Sequence, residues 1–339
     1  MNGIAHNRPT LGIEEEQAAA RVIRSGWLAQ GAEVESFENE FCDFLCLPRG
    51  HAVAVSSGSA ALYLALGALD LRGKQVALPV YSCSALSNAV ALSGAHPVYI
   101  DTLPGSPGID LQAVEASGTC VAIIPHMFGL PIDLTQHDGM QIIEDCAQAL
   151  GAAVKGTPVG LQGKIGVYSF YATKLITSGG QGGMVVSRDS PLVDKVRDYR
   201  RFDCRCDRKG RFNFQMTDLQ AAIGRVQLAK LPGFLARRGE IFQRYKDAGL
   251  DLLDLPAVVG CAPARFRAVM KSSDPQQTMA SLKASGASAI VPIEQWELLD
   301  IPELYPNAHR LSNETVSLPL YPSLTDEEVE IVISAVAKR

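Results

Sequence analysis

At 339 residues, with 47% apolar and 20% charged side chains, the chain has material for a large core and for two domains. Its net charge of −5 argues against general nucleic-acid or bilayer-surface binding, which needs a broad basic face. It lacks an apolar run of about 18 residues to span a membrane, and MNGIAHNRPT has none of the regions of a signal peptide, so the cytoplasm is the expected compartment.

From about residue 50 to 190, short β-rich runs alternate with helical stretches. HAVAVS leads to SAALYLALGAL, QVALPV to SALSNAVALSG and HPVYID to DLQAVEAS; CVAIIPH, MQIIED, GVYSF and GMVVS follow. Strands apolar on both faces, separated by amphipathic helices, predict a mostly parallel sheet covered on two sides. Ligands of such sheets gather at the carboxyl ends of the strands, where Ser57, Asp145 and Lys174 fall. Helices are expected over PLVDKVRDYR, MTDLQAAIGRVQLAKL and PGFLARRGEIFQRYKDAG. Beyond them come strand-like RFRAVM and SAIVPI around the helix QQTMASLKASG. Thr325 and Glu328 have the spacing of a capping box before the last helix. The expected division is a large domain over 1–240 and a small carboxy-terminal one over 241–339.

Eight cysteines in so long a chain make no disulfide framework. Cys42 and Cys46, or Cys204 and Cys206, lack the spacing of a zinc site, so structural thiols and no metal are expected. Asp145 closes one strand and Lys174 follows another before a glycine-rich turn. That pairing suggests a bound aldehyde cofactor: an amine to form a Schiff base with pyridoxal phosphate and an acid to keep its ring nitrogen protonated. The turn SSGS at 56–59 opens a helix whose exposed amides suit a phosphate dianion. Each element also has a plain structural use, since serines and aspartates cap helices and lysines sit on surfaces.

Together these motifs resemble the DegT/StrS-type aminotransferases, which mostly act on keto sugars carried on nucleotides. The similarity runs from about residue 8 to 235 through SGWLAQGAEVESFENEF, HAVAVSSGSAAL, HMFGLPIDL, IEDCAQALGA, GKIGVYSFYATK, GGQGGMVV and FQMTDLQAAIGRVQL, and thins after 250 until LPLYPSLTDEEVE. The resemblance implies an α/β, aspartate-aminotransferase-like fold: a mostly parallel seven-stranded sheet with helices on both faces and a smaller α/β domain. It implies pyridoxal 5′-phosphate held as an internal aldimine on Lys174, with Asp145 on the pyridine nitrogen and Gln148 on the phenolic oxygen. Gly58, Ser59 and Ser169 are expected on the phosphate, which Asn213 of a neighbouring subunit also reaches, making a homodimer with shared sites.

Two positions depart from the family pattern. Cys83 stands where relatives stack an aromatic ring on the cofactor, a weaker contact, and Tyr81 is expected to face away. Gln181 replaces a common acid. Between Lys195 and Arg211, eight basic residues against three aspartates could meet nucleotide phosphates or form a solvated loop. Arg265 and Arg267, alternate on one strand face, could receive the carboxylate of an amino donor or protect an exposed edge. The expected reaction transfers an amino group from glutamate or glutamine to a keto sugar, nucleotide-linked, in polysaccharide or glycoside biosynthesis. Alternatives are a cofactor enzyme acting on a non-sugar ketone and a non-catalytic, cofactor-binding regulator. A Rossmann enzyme fits poorly, because SSGSAA lacks the three-glycine fingerprint.

Overall fold

The computed structural model describes residues 3–137, 139–255 and 260–337. Two helices come first, α1 (Ile13–Ser25) and α2 (Ala32–Phe44). Then follow β1 (Ala52–Val55), α3 (Gly58–Ala68), β2 (Gln75–Pro79), α4 (Ser84–Leu92), β3 (His96–Ile100), α5 (Leu111–Ala116), β4 (Val121–Pro125) and β5 (Gln141–Asp145). A short hairpin of β6 (Ala153–Val154) and β7 (Thr157–Pro158) precedes β8 (Ile165–Ser169) and β9 (Gly183–Val186). Strands β1, β9, β8, β5, β4, β2 and β3 lie side by side in that order in a seven-stranded sheet. Only β9 runs against its neighbours, so the expected mostly parallel sheet is present.

Burial is continuous along β1, β4 and β9 and nearly so along β2, β5 and β8, because both faces are covered. The edge strand β3 is half-buried. Ala52, Ala54, Tyr168, Met184 and Val186 pack on one side with Phe37 and Phe41 of α2. Val53, Val55, Ile143, Val167 and Val185 pack on the other with the apolar faces of α3 and α4. After β9 come α6 (Ser190–Arg200) and α7 (Asp218–Asp247). Two helices were expected over α7, parted at Pro232, yet one helix of 30 residues runs through it. An internal proline removes one backbone hydrogen bond and costs about 3 kcal/mol. Packing on both sides offsets that cost: Leu228 and Leu231 sit in the core beneath the sheet, while Ile241, Phe242 and Tyr245 enter a second core.

That second core covers the antiparallel pair β11 (Ala268–Lys271) and β12 (Thr315–Leu318), with α8 (Pro275–Ala284), α9 (Pro306–Asn313) and α10 (Asp326–Ala337) completing the chain; β10 (Cys261–Ala262) extends the β6–β7 hairpin. The expected strand SAIVPI contributes a single bridge, Ile290 to Ser317, because Pro292 has no N–H to continue a ladder. The RFRAVM strand begins only at Ala268. Arg265 takes the left-handed conformation, φ +52°, so it and Arg267 do not alternate along one strand as expected. The capping box forms, with Thr325 N–H donating to Glu328 at 2.9 Å and Glu328 N–H to the Thr325 hydroxyl at 3.2 Å. The 240/241 boundary falls inside α7, and the early Ile4 belongs to the second core, bridging Ala287. Among the described residues no helix is long and apolar enough to cross a membrane.

Candidate active site

Strand registers bring the candidate residues to one edge. Pro125 of β4 lies opposite Asp145 of β5, and Ser169 of β8 opposite Gly183 of β9, which in turn pairs with Val55. Over these carboxyl ends lies a cavity of about 260 Å³ lined by Gly58, Ser59, Cys83, Gln148, Asp145 and Lys174, with Ser169, His126 and Gln181 on its walls. Seven of the eight expected residues therefore share one cavity. The eighth, Asn213, is exposed and outside it, its side-chain oxygen accepting the Gln215 N–H at 3.0 Å.

Close backbone approach makes the anion cup. A Cβ on Gly58 would come within 2.7 Å of Ser169 Cβ, and one on Gly183 within 2.4 Å of Ser57 O. Only glycine at both points lets the first turn of α3 abut the end of β8. Ser57 caps α3, its hydroxyl accepting the Ala60 N–H at 3.1 Å. Ser59 and Ser169 keep hydroxyls at the cavity wall. Exposed amides at a helix start favour an anion.

At the other end, β5 delivers Asp145 almost sealed from water, 8% exposed, with one carboxylate oxygen accepting the Ala147 N–H at 2.9 Å. Burial pushes its carboxyl above the usual range, against the pull of that N–H, Lys174 and His126. Lys174 lies beyond the end of β8, on a turn closed by its own N–H to Tyr171 O at 2.9 Å. Asn7 ties the same turn through Thr173 O, at 2.9 Å. Burial lowers the Lys174 amine, while Asp145 and Cys83 oppose the shift and Arg267 adds to it. The amine is thus an accessible base facing a carboxylate.

Gln148 accepts the Phe128 N–H through Oε1 at 2.7 Å, which leaves its amide nitrogen for the cavity. Cys83 caps nothing and lines the mouth. Tyr81 is fully buried in the apolar cluster between the two sheets, edge-on to Phe128 at 6.3 Å, and does not line the cavity. In the basic segment, Arg205 and Arg211 are already paired with Asp198 and Asp207, and the Arg211 side chain is only 3% exposed.

Sequence reasoning missed the buried pair behind this wall. Ile132 N–H donates to His126 Nδ1 at 3.1 Å. The ring proton therefore sits on Nε2, which donates to Glu144 at 3.0 Å. Glu144 also accepts the N–H groups of Gly160, Gln162 and Gly163 at 2.8, 2.7 and 2.6 Å. With Cys146 these side chains form a compact group, but the carboxylate is already saturated by donors. The available signal was position: His126 directly follows strand β4 and Glu144 precedes Asp145.

The sequence model of the DegT/DnrJ/EryC1/StrS aminotransferase family matches residues 9–337. The chain belongs to that family. It is 32% identical to the spore coat polysaccharide biosynthesis protein SpsC of Bacillus subtilis, over 98% of this chain and 96% of that one. It superposes on the aminotransferase TlmJ of Streptoalloteichus hindustanus with a TM-score of 0.90 and 30% identity, covering 98% of both chains. The putative sugar aminotransferase Spr1654 of Streptococcus pneumoniae, solved in its PLP form, shares the fold at TM-score 0.89 and 22% identity, over 99% and 98% of the two chains. The chain is an aminotransferase with the fold expected of the family, whose members depend on pyridoxal phosphate. The cavity fits that cofactor: an anion cup at one end, a sealed carboxylate at the other, and an amine lowered by burial between walls wide enough for a ring.

Proposed function

We propose that this enzyme moves an amino group from an amino acid, glutamate or glutamine, to a keto sugar carried on a nucleotide, in the cytoplasm, for polysaccharide synthesis. The observation that carries the reading is one cavity holding Lys174, Asp145 and the α3 cup together. SpsC, named for polysaccharide biosynthesis, supports the pathway class.

When bound, pyridoxal phosphate supplies an aldehyde that captures amines and a cationic ring that draws electrons from the carbon beside the captured nitrogen. Ser59, Ser169 and the first amides of α3 hold the phosphate. Asp145 keeps the ring nitrogen protonated, its carboxylate favouring a cation nearby. Gln148 donates its amide N–H to the phenolic oxygen. Lys174 would hold the aldehyde end of the cofactor through Nζ, and that amine would carry the proton to and from the reacting carbon of donor and acceptor. Cys83, on the cavity wall, would give the cofactor ring less contact than an aromatic side chain provides. Asn213, exposed beside Phe212, reaches the phosphate of a second copy, so the working unit is a homodimer. The large domain of 1–240 carries the cofactor and 241–339 closes the substrate side.

The test begins with the purified protein loaded with pyridoxal phosphate and given L-glutamate. Its visible spectrum should shift to the aminated form, and nucleotide-linked keto sugars should restore it with release of an amino sugar seen by mass spectrometry. Lys174→Ala should lose at least about 10⁴-fold in turnover. Turnover surviving in that variant, or a wild type indifferent to every amino donor, defeats the proposal.

A further inference from the structure

Arg238, on α7, is a buried cation without a counterion. It is 1% exposed, and burial lowers its guanidinium only to about 10, so it stays charged at neutral pH. Its Nη1 donates to Phe266 O at 3.1 Å and to Leu320 O at 2.8 Å. Its Nε is sealed from solvent and meets no acceptor. Nε and Nη2 share one edge of the guanidinium, and neither finds an oxygen among the described residues.

A second, small cavity of about 10 Å³ adjoins this side chain, space for one body the size of a water. Arg8, Thr10, Lys174, Gln227 and Phe234 line it with Arg238, and among the described residues no carboxylate does. The acid nearest in the bonding network is spent elsewhere: Glu15 holds Lys230 at 2.8 Å and accepts from Gln227 Nε2 at 2.7 Å. Arg8 reaches only Ser323, through two bonds of 3.4 Å. The two carbonyls on Nη1 satisfy donors of Arg238 but do not neutralise it. Leaving a buried charge unpaired costs several kcal/mol, and a guanidinium edge facing a cavity suits an anion.

We propose that this cavity binds one monoatomic anion, chloride, against the Nε–Nη2 edge of Arg238. The space is too small for a phosphate or a carboxylate. A water in the same place would satisfy Nε without balancing the charge. Three parts of the chain meet there: the arm bearing Arg8, helix α7, and the turn of Lys174, which lines both this cavity and the larger one. The ion ties them together from behind the lysine, and the assignment stands apart from the choice of substrate.

The test uses holoenzymes of wild type, R238M and the control R237K, since Arg237 pairs with Glu240 and Asp326. Urea unfolding is followed in chloride and in gluconate, an anion too large for the cavity, at equal ionic strength. An affinity of about 10 mM makes the folding constant about tenfold larger in about 100 mM chloride. Wild type and R237K should show that gain, and R238M less than about twofold. Wild-type crystals grown in bromide should give an anomalous-scattering peak within hydrogen-bond reach of Arg238 Nε. If R238M does not fold, the crystal decides. A cavity without that peak, a water in its place, or a chloride gain kept in R238M overturns the site.

Discussion

Asp145 and Lys174 are each costly to bury alone, and each offsets part of the other's penalty. In the cofactor-free protein, burial raises the Asp145 carboxyl and lowers the Lys174 amine, so both charged forms carry strain that function requires. Asp145→Asn should therefore leave the melting temperature of cofactor-free protein equal or higher at pH 7. It should slow the reaction of the holoenzyme with amino donor about 10²-fold, because an amide cannot hold the ring proton. Slower donor reaction without this neutral or stabilising effect would place Asp145 in the scaffold. At the cup, Gly58→Ala drives a Cβ into Ser169. The overpacking should weaken cofactor binding by about 1–3 kcal/mol, measured by titrating pyridoxal phosphate into cofactor-free protein. Affinity unchanged within error would remove the cup from the phosphate site.

Elements were legible in the sequence wherever local pattern and packing agree. The strands from β1 to β9 read as apolar runs because helices cover both sheet faces, and Ser57, Asp145 and Lys174 could be placed by their positions near strand ends. Disagreement appears where distant packing overrides a local signal. Pro232 marks a break that two cores hold closed, and the left-handed Arg265 interrupts what looked like a strand. The bond from His126 to Glu144 was unreadable because it joins strands β4 and β5 only once they pair. Since Pro232 is exposed, Pro232→Ala should restore a backbone bond without disturbing the core. Unfolding free energy in urea should rise by about 1–3 kcal/mol. A fall would mean that the proline shapes a bend on which α7 packing depends.

Across the whole molecule, early and late parts of the chain are stitched together. Ile4 N–H donates to Gly286 O at 2.8 Å, His6 Nε2 meets the Ser317 hydroxyl at 2.9 Å, and Asn7 holds the turn bearing Lys174. Because the His6 pKa in the fold, about 3, lies below its ordinary value near 6.5, its contribution is present above about pH 6.5. That contribution fades as acid drives the pH toward 3. Between pH 7 and 4 the wild type should lose about 2 kcal/mol more stability than His6→Gln, after allowance for partial exposure. Parallel stability curves for the two proteins would refute the coupling. The bridge from Ile4 to Ala287 also bears on biogenesis. The segment around Ile4 must wait, unpaired, until Ala287, far later in the sequence, has left the ribosome. Native docking of the segment around Ile4 thus follows the emergence of the Ala287 segment, and the lysine turn that Asn7 braces gains that support only when the segment docks.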